Sequence, residues 1–249
     1  MSNLNVKKLA IVSLFSVATL LLIPLNAIAR TTSAATLPQL KAVVEADMTA
    51  RDSEFVINYT GDTSNIRADL ASCLKAAENS NDYLKFSLSS LSCGASGTDG
   101  NLNIDIKVTY LTTAEQEAYV NTAVTRALAS IITPDMTDFQ KEKAIHAWVL
   151  KKVSYDYTLV NHSAYAALVA PNKTVCQGYA LLMYKMLTQA GITTKIVSGT
   201  LHGEAHAWNK VNIGGSWYNV DATNDDGVNT TRFYNVTDSV LKRNGFAWR

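Results

Sequence analysis

Two β-rich runs meet at Gly214-Gly215, and this junction constrains the fold more tightly than any other stretch of the chain. Ala207-Trp208-Asn209-Lys210-Val211-Asn212-Ile213 precedes the glycines and Ser216-Trp217-Tyr218-Asn219-Val220-Asp221-Ala222-Thr223 follows them. A two-residue hairpin loop needs left-handed backbone, which glycine adopts without steric cost. With the turn placed there, Ile213 pairs with Ser216, Asn212 with Trp217, Trp208 with Asp221 and His206 with Thr223. Side chains alternate along a strand. One face then carries His206, Trp208, Asn219 and Asp221, and the other carries Ala207, Val211, Tyr218, Val220 and Ala222. His206 and Asp221 become diagonal neighbours, roughly 7–8 Å apart at the backbone. An aspartate at that place can orient an imidazole and stabilise its charged form.

A third chemically able residue stands upstream. Val175-Cys176-Gln177-Gly178-Tyr179-Ala180 leads into an apolar helical run that stops at Gly191. Cys176 is therefore expected at a helix amino terminus. The unsatisfied N–H groups and the helix dipole there favour the nucleophilic thiolate. The same N–H groups can hold the oxyanion of an attacked carbonyl. Position alone thus points to acyl transfer through Cys176, His206 and Asp221. His202 and His206, four apart, have the spacing of metal ligands on a helix, but Gly203 and the β-rich continuation argue against a helix. No metal or organic cofactor is expected. Asn224 to Gly227 reads as an exposed loop with Asp225 and Asp226 solvated, and His146 reads as a packed or surface histidine.

The remainder divides in two. Leu37–Met48 and Asn65–Asn79 have helical spacing. Glu54–Thr60, Tyr83–Leu88 and Leu102–Tyr110 read as strands, with Cys93–Gly100 a turn-rich loop. Residues 37–132 are expected to form an amino-terminal α/β module, including a helix from Thr113 to Ile132. A further helix is expected from Thr137 to Lys152, inside a second domain spanning 137–249.

Residues 1–29 have the pattern of a secretory signal peptide. Lys7 and Lys8 precede an apolar stretch from Leu9 to Leu25, and Ala27-Ile28-Ala29 ends it. Residues 30–36 read as a linker. The expectation is a secreted or cell-surface protein without a stable membrane span after cleavage. The 22 basic and 21 acidic residues leave no surplus to suggest nucleic acid as a partner. Three cysteines in an oxidising compartment leave one unpaired. Cys73 and Cys93 are close enough in sequence to form a disulfide, worth about 3 kcal/mol on a loop-entropy argument. Cys176 would then keep its thiol.

Three segments, in order, resemble the motifs of the transglutaminase-like superfamily: Val175–Ala180, His206-Ala207-Trp208-Asn209-Lys210-Val211, and Trp217–Asp221. Tyr155-Asp156-Tyr157, Ser163-Ala164-Tyr165 and the tail Tyr234–Ser239 look like segments of exported bacterial members. The resemblance covers residues 137–249. It implies an α+β fold with a papain-like core, in which a helix-borne cysteine packs on an antiparallel sheet. It also implies Cys176 as nucleophile, His206 as general base and acid, and Asp221 as its orienter, acting on a protein or peptide. Cross-linking members use a tryptophan as an extra oxyanion donor. Tyr165 is the candidate for that role here, and Gln177 is a candidate for holding substrate. Trp208 and Trp217 read as core residues, with Trp208, on the site face, also a candidate for lining the substrate groove. The family includes cross-linkers, peptidases, amidases and members that have lost activity. The alternative readings of this chain are therefore a cysteine peptidase or amidase that only hydrolyses, or a non-catalytic secreted binding module on an inactive core.

Overall fold

The computed structural model describes residues 30–228 and 231–248. The signal-peptide reading falls on residues 1–29, outside them. The chain divides into two compact units, one ending at Leu111 and the other starting at Thr112. Both mix helices and sheets.

The first unit runs β1 (Arg30–Ala34), α1 (Leu37–Ala50), β2 (Glu54–Tyr59), α2 (Ile66–Glu78), α3 (Asp82–Phe86), β3 (Leu88–Thr98) and β4 (Asn101–Tyr110). The sheet order is β1-β2-β4-β3, with β1 parallel to β2 and the other neighbours antiparallel. The strict alternation of β4 decides its core face: Leu102, Ile104, Ile106 and Val108 are buried and the residues between them are exposed. Phe55, Ile57 and Tyr59 of β2 pair with Ile106, Ile104 and Leu102 and share that face. Leu40, Val44 and Met48 of α1 and Leu70, Leu74 and Ala77 of α2 complete the core.

Four expectations change here. Residues 30–36 are not a linker, because they form β1 and the Thr36 cap of α1. Tyr83–Leu88 is mostly helix: the Asn81 side chain accepts the N–H of Leu84 at 2.7 Å and starts α3. The apolar run was too short for its period to distinguish strand from helix. Of Cys93–Gly100 only Asp99 and Gly100 are turn; Cys93 to Thr98 are strand, with Cys93 paired to Ile106 in the hairpin that closes at Thr98 and Asn101. Finally, Cys73 and Cys93 are free thiols and form no disulfide. They lie on a helix and a strand, each buried in the same apolar core, and burial raises the pKa of both.

The second unit runs α4 (Ala114–Ile131), α5 (Asp138–Lys152), β5 (Ser154–Tyr155), α6 (Ala164–Leu168), β6 (Lys173–Thr174), α7 (Cys176–Gln189), β7 (Thr194–Leu201), β8 (Glu204–Ile213), β9 (Ser216–Val220), α8 (Ala222–Val228), α9 (Asp238–Arg243) and β10 (Phe246–Ala247). Thr113 with Gln116, and Thr137 with Gln140, form reciprocal capping boxes that start α4 and α5. Helix α4, expected in the amino-terminal module, packs instead on α5, α6 and α7 within this unit. The strand order β10-β7-β8-β9 is antiparallel throughout. Gly214 and Gly215 have φ of 60° and 85°, so the expected hairpin turn forms. Helix α7 buries Tyr179, Leu182, Met183, Met186 and Leu187. It lies against β8, where Asn209 Nδ2 donates to the Ala180 carbonyl at 3.0 Å. Among the described residues no helix is long and apolar enough to cross a membrane.

Thiol titration checks the cysteine assignment. The native protein should present no more than the Cys176 thiol, and unfolding without reductant should release three. A count of one after unfolding would restore the bridge.

Candidate active site

Cys176 is the first residue of α7, as its sequence context predicts. The residue before it, Val175, is the N-cap and offers no side-chain acceptor, so no side chain closes the positive end of this helix. The approach to the helix is held in place. Val175 N–H and Thr174 Oγ1 both donate to the Asn161 carbonyl, each at 2.8 Å. Gly178 is required by close approach: a Cβ there would run into Thr174 Oγ1 and stand 2.8 Å from the Ser163 carbonyl. Any side chain at 178 would push the first turn of α7, and Cys176 with it, away from this support.

His206 projects from β8. Its Nε2 donates to Asp221 Oδ2 at 2.7 Å, and the ring also hydrogen-bonds the Cys176 side chain. The structure therefore brings the three sequence-predicted residues together. Burial of the imidazole opposes its charge. The hydrogen bonds and charges of Asp221 and Cys176 outweigh that penalty and hold the His206 pKa up at about 10. Beneath the ring lies Trp208, with centroids 6.0 Å apart and planes nearly parallel at 19°. Trp208 is only 1% exposed, is surrounded by Phe246 and Trp248, and donates through Nε1 to Asn219 Oδ1 at 3.0 Å. It is a floor for His206, which is the core reading of this tryptophan and not the groove-lining one.

Asp221 reaches His206 by a different route from the expected one. The β8–β9 ladder follows the predicted register from Ile213–Ser216 to Asn209–Val220 and stops there. The Trp208–Asp221 and His206–Thr223 pairs do not form. Instead Asp221 N–H donates to the Phe233 carbonyl and the chain turns into α8. Asp221 behaves as the cap of that helix: its Oδ1 accepts Asn224 N–H at 3.2 Å and its carbonyl accepts Asp225 N–H. Asn224 Nδ2 donates to Asp221 Oδ2 at 2.6 Å and lies 3.2 Å from His206 Nε2. Capping fixes one carboxylate oxygen and turns the other to the imidazole.

Residues 224–227, expected as an exposed loop, are the body of α8. Asp225 is fully buried. Its Oδ1 accepts Phe233 N–H at 2.9 Å and its Oδ2 accepts from His146 Nε2 at 3.1 Å. His146 is packed, as one of the two readings of its helix had it, with the Tyr234 ring 4.9 Å away. Asp226 accepts from the Tyr179 hydroxyl at 2.7 Å, and burial raises its pKa. Each acid of α8 thus grips a different element. The sequence signal for this was the Asp221-x-x-Asn224 spacing of a capped helix, which the hairpin reading obscured.

The other candidates are spread around the site. Gln177 Oε1 hydrogen-bonds His162 Nδ1 at 3.1 Å. Tyr165 packs edge-on against Tyr119, with centroids 5.5 Å apart. His202 sits in the tight turn between β7 and β8 with φ of 52°, so it and His206 do not share a helix face. Tyr155, not singled out in the sequence, is near enough to feel the charge of Cys176. Burial first, and Cys176 next, raise its pKa.

Residues 125–222 match the core of the transglutaminase-like superfamily, from within α4 to the first residue of α8. Human kyphoscoliosis peptidase is 30% identical over 109 residues, which is 37% of this chain and 16% of that protein. The mouse kyphoscoliosis peptidase is 27% identical over 139 residues, 49% of this chain and 21% of that protein. This chain thus matches about a fifth or less of the length of these relatives. A solved structure described as a TGase is 14% identical with a TM-score of 0.41, covering 78% of this chain and 59% of that one.

Two measurements check the geometry. The folded His206 pKa of about 10 lies above the ordinary 6.5, so its contribution to stability is whole below pH 6.5 and is lost as pH rises through 10. NMR titration of the ring should find this high midpoint, and Asp221→Asn should lower it; an unmoved midpoint contradicts the pairing. Asn224→Ala should slow alkylation of Cys176 by about tenfold, because Asp221 then loses the amide that holds it. Equal rates in variant and wild type would remove Asn224 from the site.

Proposed function

We propose that the transglutaminase-like domain over residues 125–222 makes this chain an acyl-transfer enzyme working through a thioester on Cys176. The observation that supports this most directly is the joint bonding of His206 to Asp221 and to Cys176. Sγ attacks the carbonyl of a carboxamide or peptide and its proton resides on His206. Backbone N–H at the start of α7 holds the oxyanion. His206 then gives the proton to the departing ammonia or amine, leaving the acyl group on sulfur. An incoming amine gives a proton to His206, attacks the thioester and restores the thiol. Asp221 keeps the ring oriented and stabilises its charged form throughout. Every group used is a side chain or a backbone N–H.

Water in place of the amine gives hydrolysis. The name of the human and mouse relatives, kyphoscoliosis peptidase, favours this second reading. The pattern of residues 1–29 supports action outside the cytoplasm, on protein or peptide. Cleavage after Ala29 would leave Arg30, the first residue of β1, as the new terminus.

Product analysis separates the readings. A glutamine-containing peptide incubated with a primary amine should release ammonia and take up the amine. A cleaved peptide backbone assigns a peptidase. Cys176→Ala should abolish either reaction with the fold intact, and turnover persisting in that variant would refute thioester chemistry.

A further inference from the structure

The segment joining β5 to α6 is closely hydrogen-bonded within and exposes three large apolar side chains. Its one charged residue, Asp156, is buried and fully engaged. Asp156 Oδ1 accepts from Thr158 N–H at 3.0 Å and Thr158 Oγ1 at 2.6 Å. Its Oδ2 accepts from Asn161 N–H at 3.0 Å and Asn161 Nδ2 at 2.7 Å. The bonds from Thr158 lead those that hold this carboxyl far below the usual range, against the opposing effect of burial. Around this anchor Tyr157, Leu159 and Val160 are 84%, 58% and 64% exposed. A loop with four donors on one carboxylate is not loose chain, and no charge remains on its outer surface. Leu159 also takes a left-handed φ of 57°, an uncommon conformation for a branched side chain. Exposed apolar clusters on an otherwise well-packed protein mark places where something binds.

The loop is joined to the nucleophile by several bonds. The Asn161 carbonyl accepts from Val175 N–H, immediately before Cys176. His162 bridges the Leu159 carbonyl at 3.0 Å and Gln177, immediately after Cys176. The Tyr157 ring packs on Tyr155 with centroids 5.1 Å apart, and Tyr155 is the phenol that feels Cys176. The occupant follows from the chemistry. His206 must reach the departing group to protonate it, so that group lies on the β8 side. The part of the substrate that stays on sulfur then lies along the cysteine's own loop.

We propose that Tyr157, Leu159 and Val160 form the recognition surface for an apolar side chain on the acyl part of a polypeptide substrate. The inference rests on the reading of Cys176 as nucleophile. It selects apolar polypeptide segments over acidic or strongly polar ones, because desolvating a charge against this surface returns no ion pair.

The test compares alkylation of Cys176 in the full chain by two peptidyl chloromethyl ketones. One carries Phe and the other Asp next to the reacting residue. Each rate is divided by that for iodoacetamide, which reports thiol reactivity alone. Wild type should prefer the Phe probe by about tenfold or more, and the combined change Y157S, L159S and V160S should bring the ratio within about twofold of unity. No preference in wild type, or a preference that survives the triple change, overturns the proposal while leaving the nucleophile in place. Iodoacetamide labelling no faster than a free model thiol, and unaltered by His206→Ala, overturns the nucleophile itself and the recognition surface with it.

Discussion

The site depends on how a buried aspartate is satisfied. Asp225 carries a carboxylate to a place without solvent, where an unpartnered charge would cost several kcal/mol. Its two oxygens are taken by the Phe233 N–H and by His146, so α8 is tied at once to α5 and to the chain beyond it. One turn earlier stands Asp221, the cap of the same short helix, and Asn224 directly precedes Asp225. Fixing Asp225 therefore fixes the direction from which Asp221 approaches His206. Seven residues of helix could not hold such an angle through their own backbone bonds.

His206 shows what that placement achieves. Its burial on Trp208 favours the neutral ring, and its bonds to Asp221 and Cys176 favour the charged one. The second effect prevails. An imidazole held between two partners, on an aromatic floor that cannot shift in a packed core, is oriented before any substrate arrives. Cys176 gains its place by a similar economy of means. A helix start whose N-cap offers no side chain is normally a defect, and the close contact of Gly178 with Thr174 and Ser163 is what holds it in register.

The two units contrast in chemistry. In the first, alternation along β4 and the helical stripes of α1 and α2 close an apolar core, and Cys73 and Cys93 are spent as small hydrophobes in it. In the second, buried acids and histidines are paired across elements distant in sequence: His146 with Asp225, Glu142 with Tyr234 and Asn235, Asp221 with His206. Burial lifts the Glu142 pKa to about 6 in spite of its hydrogen bonds. Polar burial on this scale belongs to the unit that also carries Cys176.

Much was determined locally and so could be read from the chain alone. The glycine pair set the β8–β9 register, the capping boxes at Thr113 and Thr137 started their helices, the alternation of Leu102 to Val108 named a core face, and Cys176 stood at its helix start. These features act over a few residues, through backbone sterics and side-chain period. The ends and memberships of elements were decided elsewhere. Asn81 turned an apolar run into helix, β1 formed where composition suggested a linker, and α4 joined the second unit because its apolar stripe packs against α5, α6 and α7. The site shows the same division. Residue types and order indicated cysteine, histidine and aspartate. Only the tertiary structure ended the ladder at Val220, brought in Asn224 and buried Asp225 against His146, because a buried carboxylate takes whichever donors the whole fold places beside it, and here they lie 8 and 79 residues away.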